Sequence, residues 1–330
     1  MTMILTCLAK DYIVQASDRR LTEAVGKKVR VVEDHSNKAL IYSNHFVFAY
    51  TGLARLPFTS AIDWAAQQLS EKENLEDGVL HLGNRSSDLM NSNLIRNRYV
   101  RSPAHVKRLA FVGAGFADVI FQDGMSPRRP LRIVISNFRG EDGTWLEQPR
   151  NVFRVDFHLL PENRDFELFV DGQQLPTDKQ AQFTEILKRW FKRKVGPETM
   201  GRLLTREIQA TADKNTRVGK NIMCTFVPRE YVDSVRYQFG AVLLKSPVIS
   251  NEPQVLEPAE VVSVHDRFAL PPPFDGPRFV YVRGDNQAFP YEGPVLVVPG
   301  QVVPPITMHD MSITTPPFVR IPPPQADTPL

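Results

Sequence analysis

The feature that most constrains the fold is that segments of helical periodicity fall in pairs between blocks of strand-like sequence. Apolar and β-branched runs at residues 3–9, 12–17, 28–33, 38–43 and 46–50 read as strands, with a turn over Glu23–Lys28. Helical spacing follows at 59–72, with Ile62, Ala65, Ala66 and Leu69 on one face. A second helix is expected between Leu75 and Asn97, weakened by Gly78 and Gly83. Strand-like runs return at 107–113, 131–138, 152–159 and 166–170, parted by turns such as Asp123-Gly124 and Glu141-Asp142-Gly143. Two more helices are expected at about 177–194, capped by Thr177 or Asp178, and at about 197–213, with Pro197 in its first turn. Phe183, Ile186, Leu187 and Trp190 give the first of these an apolar face. Strands at 221–227 and 237–245 close the series. Helices grouped between blocks of strands, instead of alternating with them, imply antiparallel sheets with helices on their outer faces. The expected class is α+β, a four-layer αββα sandwich.

Beyond residue 246 the composition changes. Eighteen of the 27 prolines lie between Pro247 and Pro329, too dense for a packed core, so 247–330 reads as a Pro-rich, partly extended or disordered extension to a domain over 1–246. Phe279–Val282 and Val295–Val298 are apolar enough to pair there as edge strands.

Forty Lys+Arg against 37 Asp+Glu leave a charge of +3, which supplies no field for nucleic acid or an acidic membrane. Lys188–Lys194 mixes cations with aromatics, but helical spacing turns Trp190 and Phe191 toward a core and the cations toward water. Gly113-Ala114-Gly115 lacks the spacing and following helix of a phosphate loop. Cys7 and Cys224 lie in apolar strands and read as reduced core residues, and no metal-ligand spacing is present, so no cofactor is expected. The apolar run at the N-terminus stops at Lys10-Asp11, and no stretch approaches the roughly 20 apolar residues of a membrane span. A cytoplasmic location is the expectation.

The chemistry is concentrated in the first 52 residues. Thr2 follows Met1 and heads the first strand; if Met1 is removed, one residue carries both a hydroxyl and a free α-amine, a nucleophile with its own base. Asp18, Lys38 and Gly52 each sit at a strand end or strand–loop junction, where one sheet edge could gather them around Thr2. Singly they would be a turn carboxylate, a solvated lysine and a turn glycine.

Together, Thr2, the Asp18-x-Arg20 pattern, Lys38 and the Thr51-Gly52-Leu53 loop resemble the proteasome β-subunit family of N-terminal nucleophile (Ntn) hydrolases, in its bacterial proteasome-related branch. The spacings from Thr2 to Asp18 and from Lys38 to Gly52 match, and the segment between Asp18 and Lys38 is a few residues longer. The resemblance covers residues 2 to about 245. It implies a Thr2 acyl-enzyme, a Lys38 cation beside the hydroxyl, Asp18 orienting Lys38, and the Gly52 N–H as oxyanion donor. It also implies Asp213 and Thr216 near the amine, with an aspartate, Asp171, where the family carries a further serine. Arg217-Val218 replaces the expected glycines, with Gly219 one step on. The implied substrate is a peptide or amide, and the implied assembly a homo-oligomer. The Pro-rich segment offers a docking arm for an unfoldase or another partner. A small-molecule amidase on the same fold, or a non-catalytic scaffold subunit, would carry much of the same sequence.

Overall fold

The computed structural model describes residues 2–229, apart from 26–27, 37, 43–45, 73, 101, 103, 122–123 and 141–142, and seven short strands beyond. Met1 and most of the expected Pro-rich extension lie outside the described residues.

The chain begins with β1 (Met3–Ala9), β2 (Tyr12–Asp18), β3 (Leu21–Val25), β4 (Lys28–Glu33), β5 (Ala39–Tyr42) and β6 (Phe46–Gly52). Three helices follow: α1 (Ala61–Ser70), α2 (Leu75–Asn91) and α3 (Asn93–Tyr99). Next come β7 (Leu109–Phe121), β8 (Gly124–Ser136), β9 (Arg154–Leu159) and β10 (Phe166–Gly172), then α4 (Thr177–Lys192), α5 (Pro197–Ala212) and β11 (Ile222–Pro228). Beyond these lie β12 (Gln238–Phe239), β13 (Val242–Leu243), β14 (Gln254–Leu256), β15 (Arg278–Val282), β16 (Ala288–Pro290), β17 (Val295–Val298) and β18 (Ile306–Thr307).

Two sheets result. One runs β10-β1-β2-β11-β15-β16, and the other β14-β17-β5-β6-β7-β8-β9 with β18 beside β7. Pairings among β1–β11 are antiparallel, as the grouping of helices implies. Strands form where edge strands are expected, at 279–282 and 295–298, but neither is an edge: β15 lies antiparallel between β11 and β16, and β17 lies between β5, parallel to it, and β14, antiparallel. The single strand expected over 237–245 is instead a small hairpin of β12 and β13.

The pleat sorts each central strand between two cores. In β1, Met3, Leu5 and Cys7 pack with Met200, Leu204 and Ile208 of α5, while Ile4 and Leu8 face the other sheet. In β6, Phe46, Phe48 and Tyr50 pack with Leu69 of α1 and Val79 and Leu82 of α2, while Val47 and Ala49 face inward. Both faces are dry, which is why these strands read as unbroken apolar runs. Each fully buried side chain of this kind contributes roughly 1.5–3 kcal/mol relative to exposure. Gly113 lies in β7, where an added Cβ would come within 2.4 Å of the Phe48 ring. It makes room for that ring, not for a phosphate. Cys7 and Cys224 are buried free thiols, their pKa pushed up by burial.

Helix boundaries follow local capping. Ser60 and Asn74 cap α1 and α2 by accepting from the Asp63 and Asp77 N–H groups. The helix expected over 75–97 is broken at Ser92, not at a glycine. Ser92 has extended backbone, ends α2, and caps α3 through the Ile95 N–H. Gly78 stays helical because α1 packs there, with Leu69 Cδ2 only 3.4 Å from the position of a Cβ. Pro176, without a side-chain cap, stands at the N-cap of α4 where Thr177 or Asp178 was expected. Ile186 of α4 is exposed, not buried; Phe183 and Leu187 form the buried seam, and Phe191 stacks on Phe166 at 4.2 Å. Pro197 opens α5 as expected.

Candidate active site

Thr2 immediately precedes β1, and Asp18 ends β2, which pairs with β1 through Ile4 and Ser17. Gly172 ends β10 opposite Met3. These three belong to one sheet. Lys38 comes just before β5, and Thr51 and Gly52 end β6, all on the other sheet. The site is therefore gathered from two sheets, not from the single edge that strand order suggests.

At its centre the Lys38 ammonium donates to Thr2 Oγ1 at 2.7 Å and to the Arg20 carbonyl at 2.5 Å, with Asp18 Oδ1 at 3.5 Å. Lys38 and Asp18 are both 0% exposed. Three acceptors match the three donors of a lysine ammonium. Burial pulls the Lys38 pKa below its ordinary range, and the Asp18 charge opposes that shift.

Asp18 is held as a full acceptor. Its Oδ2 takes the Met3 N–H at 2.7 Å, and its Oδ1 takes the Arg20 and Gly219 N–H groups at 3.0 and 3.1 Å. A buried carboxylate with three backbone donors and a cation is paired as an ionised group must be.

The main chain of residue 2 is clamped as tightly. Its carbonyl accepts from Thr51 Oγ1 and from the Gln173 N–H, both at 3.0 Å. Gly172, at φ +75°, makes the clamp possible: an added Cβ would lie 2.0 Å from the Thr2 carbonyl oxygen and 2.5 Å from Thr51 Oγ1. Gly52 also has positive φ, +99°, where a Cβ would strike the Arg108 carbonyl at 2.0 Å. The arrangement fixes a hydroxyl beside a buried cation on a rigid backbone, which is what an activated nucleophile requires.

A cleft of about 690 Å³ opens beside this cluster. Leu21, Thr22 and Val32 of the β3–β4 hairpin line one wall, and Gly52, Leu53 and Ala54 line another. Leu21 follows the Arg20 carbonyl that holds Lys38, and Gly52 follows the Thr51 that holds Thr2. A hollow of about 800 Å³ along α4 includes none of the site residues.

Two expected residues are not brought here. Asp213 is the C-cap of α5 and pairs with Lys220 at 2.5 Å; its side chain is 59% exposed. The helix end directs it to solvent. Thr216 is also exposed; its carbonyl accepts from Arg20 at 2.9 Å. Asp171 is 0% exposed but is engaged by Arg132 of β8 across the sheets. Thr51, Gly172 and Gln173 were not singled out for this role, since their contacts with Thr2 span 49 residues or more. Gly219, noted in sequence only as displaced, proves to donate to Asp18. Arg20 is a structural tie: it forks onto Asp34 at 2.5 and 3.1 Å and donates to the Val218 carbonyl at 3.2 Å.

Among the described residues no group of three His, Cys, Asp or Glu side chains could hold a metal ion, and no helix is long and apolar enough to cross a membrane. No protein-family model and no curated protein matches the chain. Among solved structures it is similar to an Anbu (Gly-1) mutant from Hyphomicrobium sp. strain MC1, at 15% identity and a TM-score of 0.42, over 69% of this chain and 82% of that one. It is likewise similar to Anbu (ancestral beta-subunit) from Yersinia bercovieri, at 13% identity and a TM-score of 0.38, over the same shares, 69% and 82%.

Proposed function

We propose that the chain is an N-terminal threonine hydrolase with a four-layer αββα domain over residues 1–246 and an extension over 247–330 that adds edge strands. The observation that carries this reading is the 2.7 Å contact between Lys38 Nζ and Thr2 Oγ1 inside a buried, charge-paired cluster. Removal of Met1 frees the Thr2 α-amine. Thr2 Oγ attacks an amide carbonyl carbon while the α-amine takes its proton, directly or through a water. Lys38 stabilises the hydroxyl oxygen as charge develops, and Asp18 holds Lys38. The Gly52 N–H donates to the tetrahedral oxyanion, a contribution of roughly 3 kcal/mol to the barrier. Collapse breaks the C–N bond, with the α-amine returning the proton to the leaving amine, and water hydrolyses the threonine ester. The substrate is a peptide or a smaller amide, and the active form a homo-oligomer. The extension is a docking arm for an unfoldase or other partner.

Asp213, expected beside the amine, is 59% exposed and paired with Lys220, and this favours one second reading: a non-catalytic scaffold subunit on the same fold.

The pH profile of kcat/KM separates the two. An α-amine of ordinary pKa, about 7.7–8.0, must be neutral to act as a base, so the rate rises through that range. Lys38 must keep its proton, and burial lowers its pKa, so the rate falls again below the pH at which a surface lysine titrates. A bell with both limbs is expected with the Met1-free protein; a scaffold shows no turnover at any pH.

A further inference from the structure

Resting on the hydrolase reading above, we propose that the cleft selects amide substrates carrying carboxylates next to the scissile bond. Four arginines are among the residues that line it, Arg55, Arg98, Arg108 and Arg217, together with His105; Arg98 also donates to the Leu56 carbonyl. None of the four arginines lies within 4 Å of a carboxylate among the described residues. Glu23, the acidic residue of the lining, is already paired with Arg30. Arg108 donates to the main-chain carbonyl of Glu147, and burial lowers its pKa while the Glu147 charge opposes that shift.

The whole chain carries only +3, so the arginines of the cleft are not part of a large overall positive excess. A concave wall of one sign focuses the field on whatever enters it. At physiological salt the screening length is about 8 Å, so charges across such a cleft still act on a bound substrate. The apolar wall of the β3–β4 hairpin suits an extended chain whose acidic side chains reach the rim. An adjacent nucleophile built for acyl transfer makes the ligand an acidic amide, not a nucleic acid.

The test uses the Met1-free full chain and internally quenched peptides that differ only in Glu, Gln or Lys flanking the scissile bond. The Glu peptide is expected to exceed its Gln isostere in kcat/KM by roughly tenfold, mostly through KM. The difference shrinks as salt rises from roughly 50 to roughly 500 mM. Arg55 and Arg217 are exposed, so Arg55→Glu with Arg217→Glu leaves the fold intact and turns the preference toward Lys. Equal rates for Glu and Gln peptides overturn the proposal.

A neutral peptidyl epoxyketone separates it from the hydrolase reading. Labelling of Thr2 without an acidic preference leaves the hydrolase standing and removes the acidic selectivity. Without labelling, anisotropy of a fluorescein-tagged Glu peptide decides the cleft by itself. Salt-sensitive binding lost in the double variant supports the anionic ligand, and its absence contradicts it.

Discussion

Thr2→Ala, in protein from which Met1 has been removed, is expected to lower kcat by at least roughly four orders of magnitude. The substitution removes the attacking oxygen and keeps everything else: the α-amine, the residue 2 carbonyl clamp and the Lys38–Asp18 pair. A nucleophile that acts as one unit with its base loses nearly all of its contribution when either member goes. The structural cost is smaller. Lys38 loses its 2.7 Å acceptor but retains the Arg20 carbonyl and Asp18, so the loss of stability is about 1–3 kcal/mol. Steady-state hydrolysis and urea unfolding on the same variant read the two effects separately. A Thr2→Ala protein with undiminished turnover would place the chemistry elsewhere.

Asp18→Ala is expected to produce the largest loss of stability, about 3–5 kcal/mol. Removing the carboxylate strands a lysine that is 0% exposed, and it removes the acceptor of the Met3, Arg20 and Gly219 N–H groups. A buried cation without a counter-charge is costly, and each orphaned donor adds to that. For a domain of this size the shift in Tm is on the order of 10 °C. Activity should fall as well, because Lys38 then deprotonates or moves off Thr2. Asp18→Asn keeps one acceptor oxygen and is expected to lie between wild type and alanine. A loss below about 1 kcal/mol for Asp18→Ala, by urea unfolding, would show that the cluster is not the buried charged centre described.

Thr2, Asp18, Lys38 and Gly52 were legible in sequence because each marks the end of a strand that the apolar pattern already delimits. The grouping of helices gave the two sheets for a similar reason. What the sequence could not show is orientation and long-range contact. Spacing places Asp213 at the end of α5, but only the path of the helix decides that its carboxylate meets Lys220 in solvent. The carbonyl clamp on Thr2 joins residues 2, 51 and 173 at the ends of three strands, a link no local pattern encodes. The Arg132–Asp171 pair between sheets is hidden for the same reason. The β3 strand was missed because Leu21–Val25 carries a charge and a small residue among its apolar positions, and the hairpin with β4 replaces the simple turn expected there. That hairpin forms one wall of the cleft, so the cleft was less legible in the sequence than the Thr2 cluster beside it.

Catalysis as proposed requires one residue, Thr2, to present a hydroxyl and a free amine together. The most direct measurement is intact mass and peptide mapping after treatment with a peptidyl epoxyketone, which closes a ring only when both groups sit on the same residue. The expected product is a protein lacking Met1 and carrying one covalently bound inhibitor on Thr2, with no adduct in Thr2→Ala. A protein that retains Met1, or that lacks Met1 and still forms no adduct at Thr2, would contradict it.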